Sequence, residues 1–326
     1  MDLHVRGRVW FSIFFMIKTA FLFAGQGAQQ VGMGRDLADA FPEARALFAA
    51  ADSVVGYGLS NICFNGPESE LIKTENAQPG IYLVSWVAMK LLQERIPLLT
   101  AAAAAGLSLG EFTALAAAGA LSFEEGLEIT RLRGRFMQDA CEASPGGMAA
   151  IIGLDEELCR EACVATGTTL ANLNCPGQIV ISGPSERIPA AIEACKARGA
   201  RKAIPLSVAG AYHSPLMAPA RPLLAAELAR IRFQQTGMPV ISNVTAAPHG
   251  PVETIAQCLV EQLTSPVRWE AGMRLLLAEG VNRFIEFGPG TALSGFMRRI
   301  DKSIEVLNVS DCASLETTVK VLSEGL

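Results

Sequence analysis

Residues 100–118, TAAAAAGLSLGEFTALAAA, form the segment that decides the fold. Small apolar residues come first, two glycines then flank a serine at 108, and an alanine-rich helical pattern follows. This order predicts a strand that turns sharply into a helix, because glycines are needed where strand, turn and helix crowd together. Such a turn exposes the hydroxyl of Ser108 at the end of a sheet.

Ser108 is therefore a candidate nucleophile for acyl chemistry. The first amides of the following helix have no partner within the helix and lie at the positive end of its dipole. An oxyanion formed beside Ser108 would meet these donors, and the amide of Leu109 is the nearest of them. The G-x-S-x-G pattern also occurs by chance in glycine-rich chains, so a structural loop serine stays open as the alternative.

A nucleophilic serine needs a base, and the chain contains three histidines, His4, His213 and His249. His4 lies in an N-terminal extension. His249 lies in a loop bounded by proline and glycine, where a solvated turn histidine is expected. His213 follows the apolar stretch 203–209, where small residues let other backbone approach, as at the end of a strand. His213 is thus the candidate base, with a structural histidine as the alternative.

An arginine occupies an unusual position in the helix predicted over residues 123–140. The apolar stripe of this helix includes Ile129 and Phe136, and Arg133 lies within it. A guanidinium on a core-facing stripe is costly unless an anion pairs with it. The anion is either an internal carboxylate or that of a substrate. In the second case the substrate carries an acyl group for Ser108 and a free carboxylate, as malonyl thioesters do.

A further turn, AGQGAQQ at residues 24–30, follows a strand-like run. The turn resembles part of a dinucleotide-binding fingerprint, but the third glycine of that fingerprint would fall at Gln30, and no acidic residue closes a following strand at the usual distance. The alternative is that the flanking glycines bring Gln26 close to another loop, where its amide assists an oxyanion hole.

The alternation of short apolar runs with helical patterns predicts an α/β fold with a hydrolase-like, mainly parallel sheet. Between 146 and 207 the order becomes β-α-β-β-α-β, the signature of a ferredoxin-like lobe. We therefore predict a large domain over residues 17–145 and 208–310 and an inserted small domain over residues 146–207. Residues 1–16 are predicted to form a non-core N-terminal extension.

Composition limits the classes of function. The chain has 326 residues, half of them hydrophobic, which is enough for one large core or a core with an inserted lobe. A formal charge of -5 argues against nucleic acid as a partner. The eight cysteines show no C-x-x-C pair and no zinc-like spacing, which predicts no metal site and reduced thiols in a cytosolic enzyme.

The N-terminal residues resemble a signal peptide, because an apolar run at 9–17 follows basic residues. This run merges with the first predicted core strand, and no separate cleavage site is evident, so Met16 is predicted as the natural start. The alanine run at 101–105 is too short to span a membrane, and we predict no transmembrane helix.

Seven ordered segments give a resemblance to a known family, the malonyl-CoA:acyl carrier protein transacylases of fatty acid synthesis and the related acyltransferase domains of polyketide synthases. The resemblance spans the chain from residue 19 to about residue 309. Its segments are FAGQGAQ at 23–29, GLSLGE at 106–111, RLRGRFMQ at 131–138, NCPGQIVISG at 174–183, GAYH at 210–213, QL at 262–263 before PVRW at 266–269, and EFGPG at 286–290.

The resemblance implies roles for residues at matching positions. Ser108 matches the serine that is acylated, and His213 matches the base that takes its proton. In this family a main-chain carbonyl orients the histidine, and the matching position is Gln262, near the end of a helix predicted over 253–263.

The resemblance also implies the substrates and their contacts. Arg133 matches the arginine that grips the malonyl carboxylate, while Gln26 and the Leu109 amide match the oxyanion hole. The implied reaction is ping-pong transfer from malonyl-CoA to the phosphopantetheine thiol of holo acyl carrier protein, without a cofactor. We expect a cytoplasmic monomer that binds neither nucleic acid nor membrane.

Two positions depart from the family pattern. Leu107 stands where the family usually has histidine, which changes pocket polarity beside the nucleophile. Tyr212 stands where Phe or Ser usually precedes the base, and its bulk resembles malonyl-selective members. Two alternatives stay open: a serine thioesterase or esterase, which has the elbow but no need for Arg133, and a dinucleotide-binding or scaffold protein that retains only the fold.

Overall fold

The chain forms two separate β-sheets with helices packed around them, and the computed structural model describes residues 17–324. The strands are β1 (Thr19–Phe23), β2 (Ala103–Gly106), β3 (Gly146–Ile152), β4 (Thr169–Cys175), β5 (Gln178–Pro184), β6 (Lys202–Pro205), β7 (Val240–Ile241), β8 (Arg283–Phe287) and β9 (Glu305–Val309). The helices are α1 (Arg35–Ala40), α2 (Pro42–Val55), α3 (Leu59–Asn65), α4 (Glu68–Leu71), α5 (Thr74–Arg95), α6 (Gly110–Ala117), α7 (Phe123–Ala143), α8 (Glu156–Thr166), α9 (Ile188–Ala197), α10 (Ala220–Leu228), α11 (Val252–Gln262), α12 (Trp269–Ala278), α13 (Ala292–Ile300) and α14 (Cys312–Glu324).

The larger sheet is parallel and has the strand order β7-β2-β1-β8-β9. Every residue of the central strand β1, sequence TAFLF, is buried, as expected for a parallel sheet with helices on both faces. Phe23 at the end of β1 lies opposite Gly106 at the end of β2. The loops that follow these two strands therefore meet at one edge of the sheet, where α/β folds place their ligand sites.

The smaller sheet is antiparallel, with the order β4-β5-β3-β6. Its strands alternate with α8 and α9, whose buried cysteines and aliphatic side chains form a hydrophobic core of their own with the sheet. The predicted β-α-β-β-α-β order is confirmed. The domain limits at 146 and 207 stay a prediction.

The turn between β2 and α6 explains both flanking glycines of the serine motif. A Cβ on Gly106 would lie 1.9 Å from the carbonyl carbon of Gly110, and a Cβ on Gly110 would lie 2.3 Å from the carbonyl oxygen of Phe23. Ser108 between them has φ of 54°, a left-handed conformation that non-glycine residues seldom adopt. The sharp strand-to-helix turn predicted from the sequence is thus present.

Further predictions concern the N-terminal extension, membrane helices, metal sites and the cysteines. Residues 1–16, including Met16, lie outside the described part of the chain, so the predicted extension has no structural account. Within residues 17–324 no helix is both long and apolar enough to cross a membrane. The same range holds no cluster of three or more His, Cys, Asp or Glu side chains suited to a metal ion. All eight cysteines are free thiols.

Candidate active site

Ser108 is held at the edge of the parallel sheet by its own strained backbone and by a neighbouring loop. Its amide donates to Oδ1 of Asn243 at 2.6 Å, and Nδ2 of Asn243 donates to the carbonyl of Gly106 at 2.8 Å. The Asn243 side chain thus bridges the turn from Gly106 to the amide of Ser108. Ser108 is only partly buried and lines a cleft, so its hydroxyl is accessible to a substrate.

His213 contacts the serine hydroxyl directly. Its Nε2 lies 2.9 Å from Oγ of Ser108, and its Nδ1 lies 2.9 Å from the carbonyl oxygen of Gln262. The carbonyl only accepts, so Nδ1 carries the proton and Nε2 is free to accept one from the serine. Burial, and secondly the positive charge of Arg133, lower the pKa of His213 to about 4. The imidazole is therefore neutral at neutral pH.

Arg133 projects from α7 to the same serine and is 1 % exposed. Its Nη1 donates to Oε1 of Gln78 at 2.5 Å, and its Nη2 donates to Oγ of Ser108 at 3.0 Å and to Oε1 of Gln262 at 2.8 Å. All these acceptors are neutral, Nε has no hydrogen-bond partner, and the guanidinium forms no ion pair within residues 17–324. Burial lowers the pKa of Arg133 to about 10, which still leaves it charged.

The internal salt bridge considered for Arg133 is thus absent from the described residues, and the predicted burial is observed. A buried cation with only neutral acceptors and an unpartnered Nε is costly, and an anion bound to it would be strongly favoured. Arg133 touches Oγ of Ser108, which lines the cleft, so the guanidinium lies next to the place where a substrate would meet the nucleophile.

Gln26 and Leu109 lie on the two loops that meet beside Ser108. A Cβ on Gly25 would lie 2.5 Å from the carbonyl oxygen of Leu107, which shows how closely these loops approach. The side chain of Gln26 is occupied, since Nε2 donates to the Tyr212 hydroxyl at 3.2 Å. Within the described residues the main-chain amides of Gln26 and Leu109 donate to no other group. Two free amides at adjoining loops can serve an oxyanion.

The cleft in front of Ser108 has a volume of about 360 Å³ and lies between the two sheets. Residues after β1 and β2 line one wall, and Met148, Asn172 and Val180 of the antiparallel sheet line the other. Leu107 and Tyr212, the two departures from the family pattern, both line it. Burial raises the pKa of Tyr212 to about 12, so the phenol that lines the cleft is uncharged at neutral pH.

Sequence reasoning missed a buried polar cluster beneath the serine. His249, expected to be a solvated turn residue, has a side chain only 3 % exposed, and its Nε2 lies 2.7 Å from Oε1 of Glu111. That expectation is wrong because the loop runs alongside β7, where the main-chain amide of His249 donates to the carbonyl of Val240, and this places the ring against a buried carboxylate. The side chain of Gln262 also belongs to this cluster, and no signal in the sequence distinguishes it from a surface glutamine.

Comparison with known proteins shows the family to which the chain belongs. Residues 20–320 match the family model described as the acyl transferase domain. The chain belongs to the acyl transferase family. The malonyl CoA-acyl carrier protein transacylase of Bacillus subtilis is 43 % identical over 314 residues, which cover 95 % of this chain and 98 % of that protein. The enzyme of the same name from Escherichia coli K12 is 37 % identical over 313 residues, covering 94 % and 100 %.

Solved structures show the same relationship. A malonyl-transacylase in complex with the holo acyl carrier protein of a type II polyketide synthase superposes with a TM-score of 0.89 at 39 % identity, covering 93 % of this chain and 99 % of that one. An acyl carrier protein S-malonyltransferase from Vibrio cholerae gives 0.88 at 38 %, covering 92 % and 99 %. The family resemblance and the fold class inferred from the motifs are confirmed.

Proposed function

We propose that this acyl transferase moves the malonyl group from malonyl-CoA to the phosphopantetheine thiol of a holo acyl carrier protein. The observation that carries the proposal is the guanidinium of Arg133, which is buried, unpaired with any carboxylate in residues 17–324, and 3.0 Å from Oγ of Ser108. A substrate with a thioester carbonyl at Ser108 and a carboxylate beside it satisfies this cation. The names of the relatives support the same substrate.

The first half-reaction loads the enzyme. Oγ of Ser108 attacks the thioester carbonyl of malonyl-CoA while Nε2 of His213 takes the hydroxyl proton. The amides of Gln26 and Leu109 donate to the resulting oxyanion, and Arg133 holds the malonyl carboxylate. The carbon–sulfur bond then breaks, the imidazolium returns the proton to the thiolate, and CoA leaves as a thiol. The product is a malonyl ester of Ser108.

The second half-reaction repeats these steps with another thiol. The phosphopantetheine thiol of the carrier gives its proton to His213 and attacks the ester carbonyl. The carbon–oxygen bond breaks, Ser108 regains the proton, and malonyl-carrier protein leaves. Every proton lost by one thiol or hydroxyl is gained by another, so this scheme consumes no oxidant, reductant or cofactor.

The carbonyl of Gln262 gives His213 the support that a carboxylate gives in many hydrolases. The Nδ1 contact at 2.9 Å fixes the tautomer and the ring orientation. The solved complex of a relative with its acyl carrier protein supports a carrier as the acceptor. We further propose that the chain acts in the cytoplasm as a monomer, supplying fatty acid or polyketide chain extension.

A serine thioesterase or esterase would share the elbow and the base but would have no use for a buried guanidinium at the nucleophile. The decisive experiment is intact-protein mass spectrometry after brief exposure to malonyl-CoA, repeated with acetyl-CoA and followed by holo acyl carrier protein. A malonyl adduct that passes to the carrier supports the transferase. Folded protein that releases free malonate without an adduct would support the hydrolase instead.

The pH dependence of loading tests the role of His213. Burial and the charge of Arg133 hold its pKa at about 4, against an ordinary value of 6.5, and the base accepts a proton only when neutral. Activity should therefore be lost as the pH falls through the folded-state pKa. We expect kcat/KM for malonyl-CoA to stay level down to about pH 5 and to decline below it, since this ratio reports groups of the free enzyme.

Two controls accompany this titration. Acetyl-CoA has no free carboxylate, so its slow loading should show the same acid limb if His213 is the titrating group. Circular dichroism at each pH verifies that the chain stays folded. An acid limb near pH 6.5 with both substrates would contradict a buried neutral base at this position.

A further inference from the structure

The carboxylate of Glu111 lies beneath the serine turn and is completely buried. Its Oε2 accepts from the side chain of Gln262 at 2.6 Å and from the main-chain amide of Asn243 at 3.0 Å. Its Oε1 accepts from Nε2 of His249 at 2.7 Å. Three donors thus converge on one carboxylate, two from the loop between β7 and α11 and one from the end of α11. A buried carboxylate with this many donors has a single fixed orientation.

The side-chain amide of Gln262 connects this carboxylate to Arg133, the candidate clamp for the substrate carboxylate. Its Nε2 donates to Glu111 and, at 3.0 Å, to the carbonyl of Ser108, while its Oε1 accepts from Nη2 of Arg133 at 2.8 Å. The amide therefore stands between a buried anion and a buried cation, with its oxygen towards the cation and its nitrogen towards the anion. The opposite charges at its two ends determine this orientation and oppose a flip.

The main chain of the same residue orients the candidate base. The carbonyl oxygen of Gln262 lies 2.9 Å from Nδ1 of His213. One residue at the end of α11 thus contacts the base through its backbone and the clamp through its side chain. A rotation of Gln262 would disturb Arg133 directly, because the amide is a primary partner of the guanidinium, and His213 only through movement of the backbone.

We propose that the Glu111–His249 pair is a positioning unit that fixes the side chain of Gln262 and, through it, holds Arg133 in place for the substrate carboxylate. This inference rests on the proposed malonyl transfer. Glu111 supplies the negative charge that a buried guanidinium needs, but the Gln262 amide lies between them, so within residues 17–324 no carboxylate occupies Arg133 and its contact towards the nucleophile is with the neutral hydroxyl of Ser108. A carboxylate in direct contact would occupy the guanidinium and compete with malonate.

His249 completes the unit from a loop that has no contact with the serine hydroxyl. Its ring is almost fully buried, its Nε2 donates to Glu111, and its Nδ1 has no partner within residues 17–324. Without this donor, Oε1 of Glu111 would be left unsatisfied in the interior, and the carboxylate would rotate towards other donors. Gln262 would then lose its fixed partner.

The test compares malonyl with acetyl loading in variants of the full chain. His249→Phe keeps a planar ring but removes the donor, and His249→Gln restores a donor by a different side chain. Glu111→Gln removes the charge, and Glu253→Gln, at an exposed position on α11, is the matched control for loss of a carboxylate. Pre-steady-state loading rates are corrected for the active fraction, which the total adduct measures.

The expected result is a selective loss. In His249→Phe and Glu111→Gln the rate of malonyl loading falls about tenfold or more relative to acetyl loading, as misplacement of a positioning group predicts. His249→Gln recovers most of the ratio, and Glu253→Gln leaves it at the wild-type value. The double variant of residues 111 and 249 is no worse than the more impaired single variant, because both changes release the same amide.

A purely structural role gives a different pattern. Thermal stability and the active fraction would fall, while the malonyl-to-acetyl ratio of the remaining active enzyme would stay at the wild-type value, and this outcome overturns the inference. The wild-type chain, tested in parallel, separates the two claims. Failure of the wild type to load malonate would refute the proposed function, whereas normal loading with unchanged ratios in the variants refutes the positioning unit alone.

Discussion

Replacing Ser108 with alanine should abolish the acyl-enzyme and with it the transfer of malonate. Nε2 of His213 lies 2.9 Å from Oγ, so the imidazole can deprotonate this hydroxyl directly. Loss of a nucleophile of this kind lowers kcat by roughly 10⁶-fold in a comparable serine enzyme. The measurement is intact-protein mass spectrometry, in which Ser108→Ala should show no malonyl adduct at times when the wild type is fully loaded.

The matched control for this variant is Ser53→Ala, which removes an exposed serine on α2 that bonds only within its own helix. This control should load like the wild type. Stable folding of Ser108→Ala is expected, because the elbow is held by the backbone amide of Ser108 and by Asn243 rather than by the hydroxyl. An adduct that persists in folded Ser108→Ala would refute the nucleophile, and full activity without any adduct would favour a non-covalent mechanism.

The elbow and the arginine could be predicted because each has a local pattern. The glycines flanking Ser108 form a short motif typical of a sharp strand-to-helix turn, and the position of Arg133 follows from the helical period alone. Similarly, the small sheet follows from the order of short apolar runs between 146 and 207. In all three cases the pattern lies within a short stretch of sequence, so one chain without relatives is enough to recognise it, although part of the crowding at Gly110 comes from the distant Phe23.

The cluster under the serine could not be predicted, because its members are brought together only by the tertiary fold. Glu111 and His249 are 138 positions apart, and neither lies in a pattern that indicates burial. Proline and glycine around His249 correctly indicate a loop, but they carry no information on whether the loop faces water or the core. The role of the Gln262 carbonyl came from family resemblance, because any residue can offer a carbonyl oxygen.

The second large effect is expected from Arg133→Ala. Malonyl loading should fall by about 10²- to 10³-fold, while acetyl loading changes far less. Loss of one partner of a buried, hydrogen-bonded charge pair costs roughly 2–5 kcal/mol, and each 1.4 kcal/mol corresponds to a factor of ten. Acetyl-CoA lacks the carboxylate, so it has no interaction with the guanidinium to lose. The ratio of the two loading rates therefore isolates the clamp from general damage to the site.

Arg135→Ala is the matched control, since it removes an exposed arginine two positions away on the same helix. Its malonyl-to-acetyl ratio should equal that of the wild type. A ratio that stays unchanged in folded Arg133→Ala would refute the clamp and leave the thioesterase alternative stronger. Equal loss of both substrates would assign the arginine to stability, because its alanine variant leaves Gln78 and Gln262 without their charged partner.

The Arg133→Ala variant carries a second, independent signature in its pH profile. The positive charge of Arg133 is one of the two causes that lower the pKa of His213, after burial. Removing that charge should raise the pKa of the imidazole from about 4 towards its ordinary value of 6.5, so the acid limb of acetyl loading should move to higher pH. A limb that does not move in this variant would mean that the guanidinium and the imidazole do not interact as their shared contacts with Ser108 indicate.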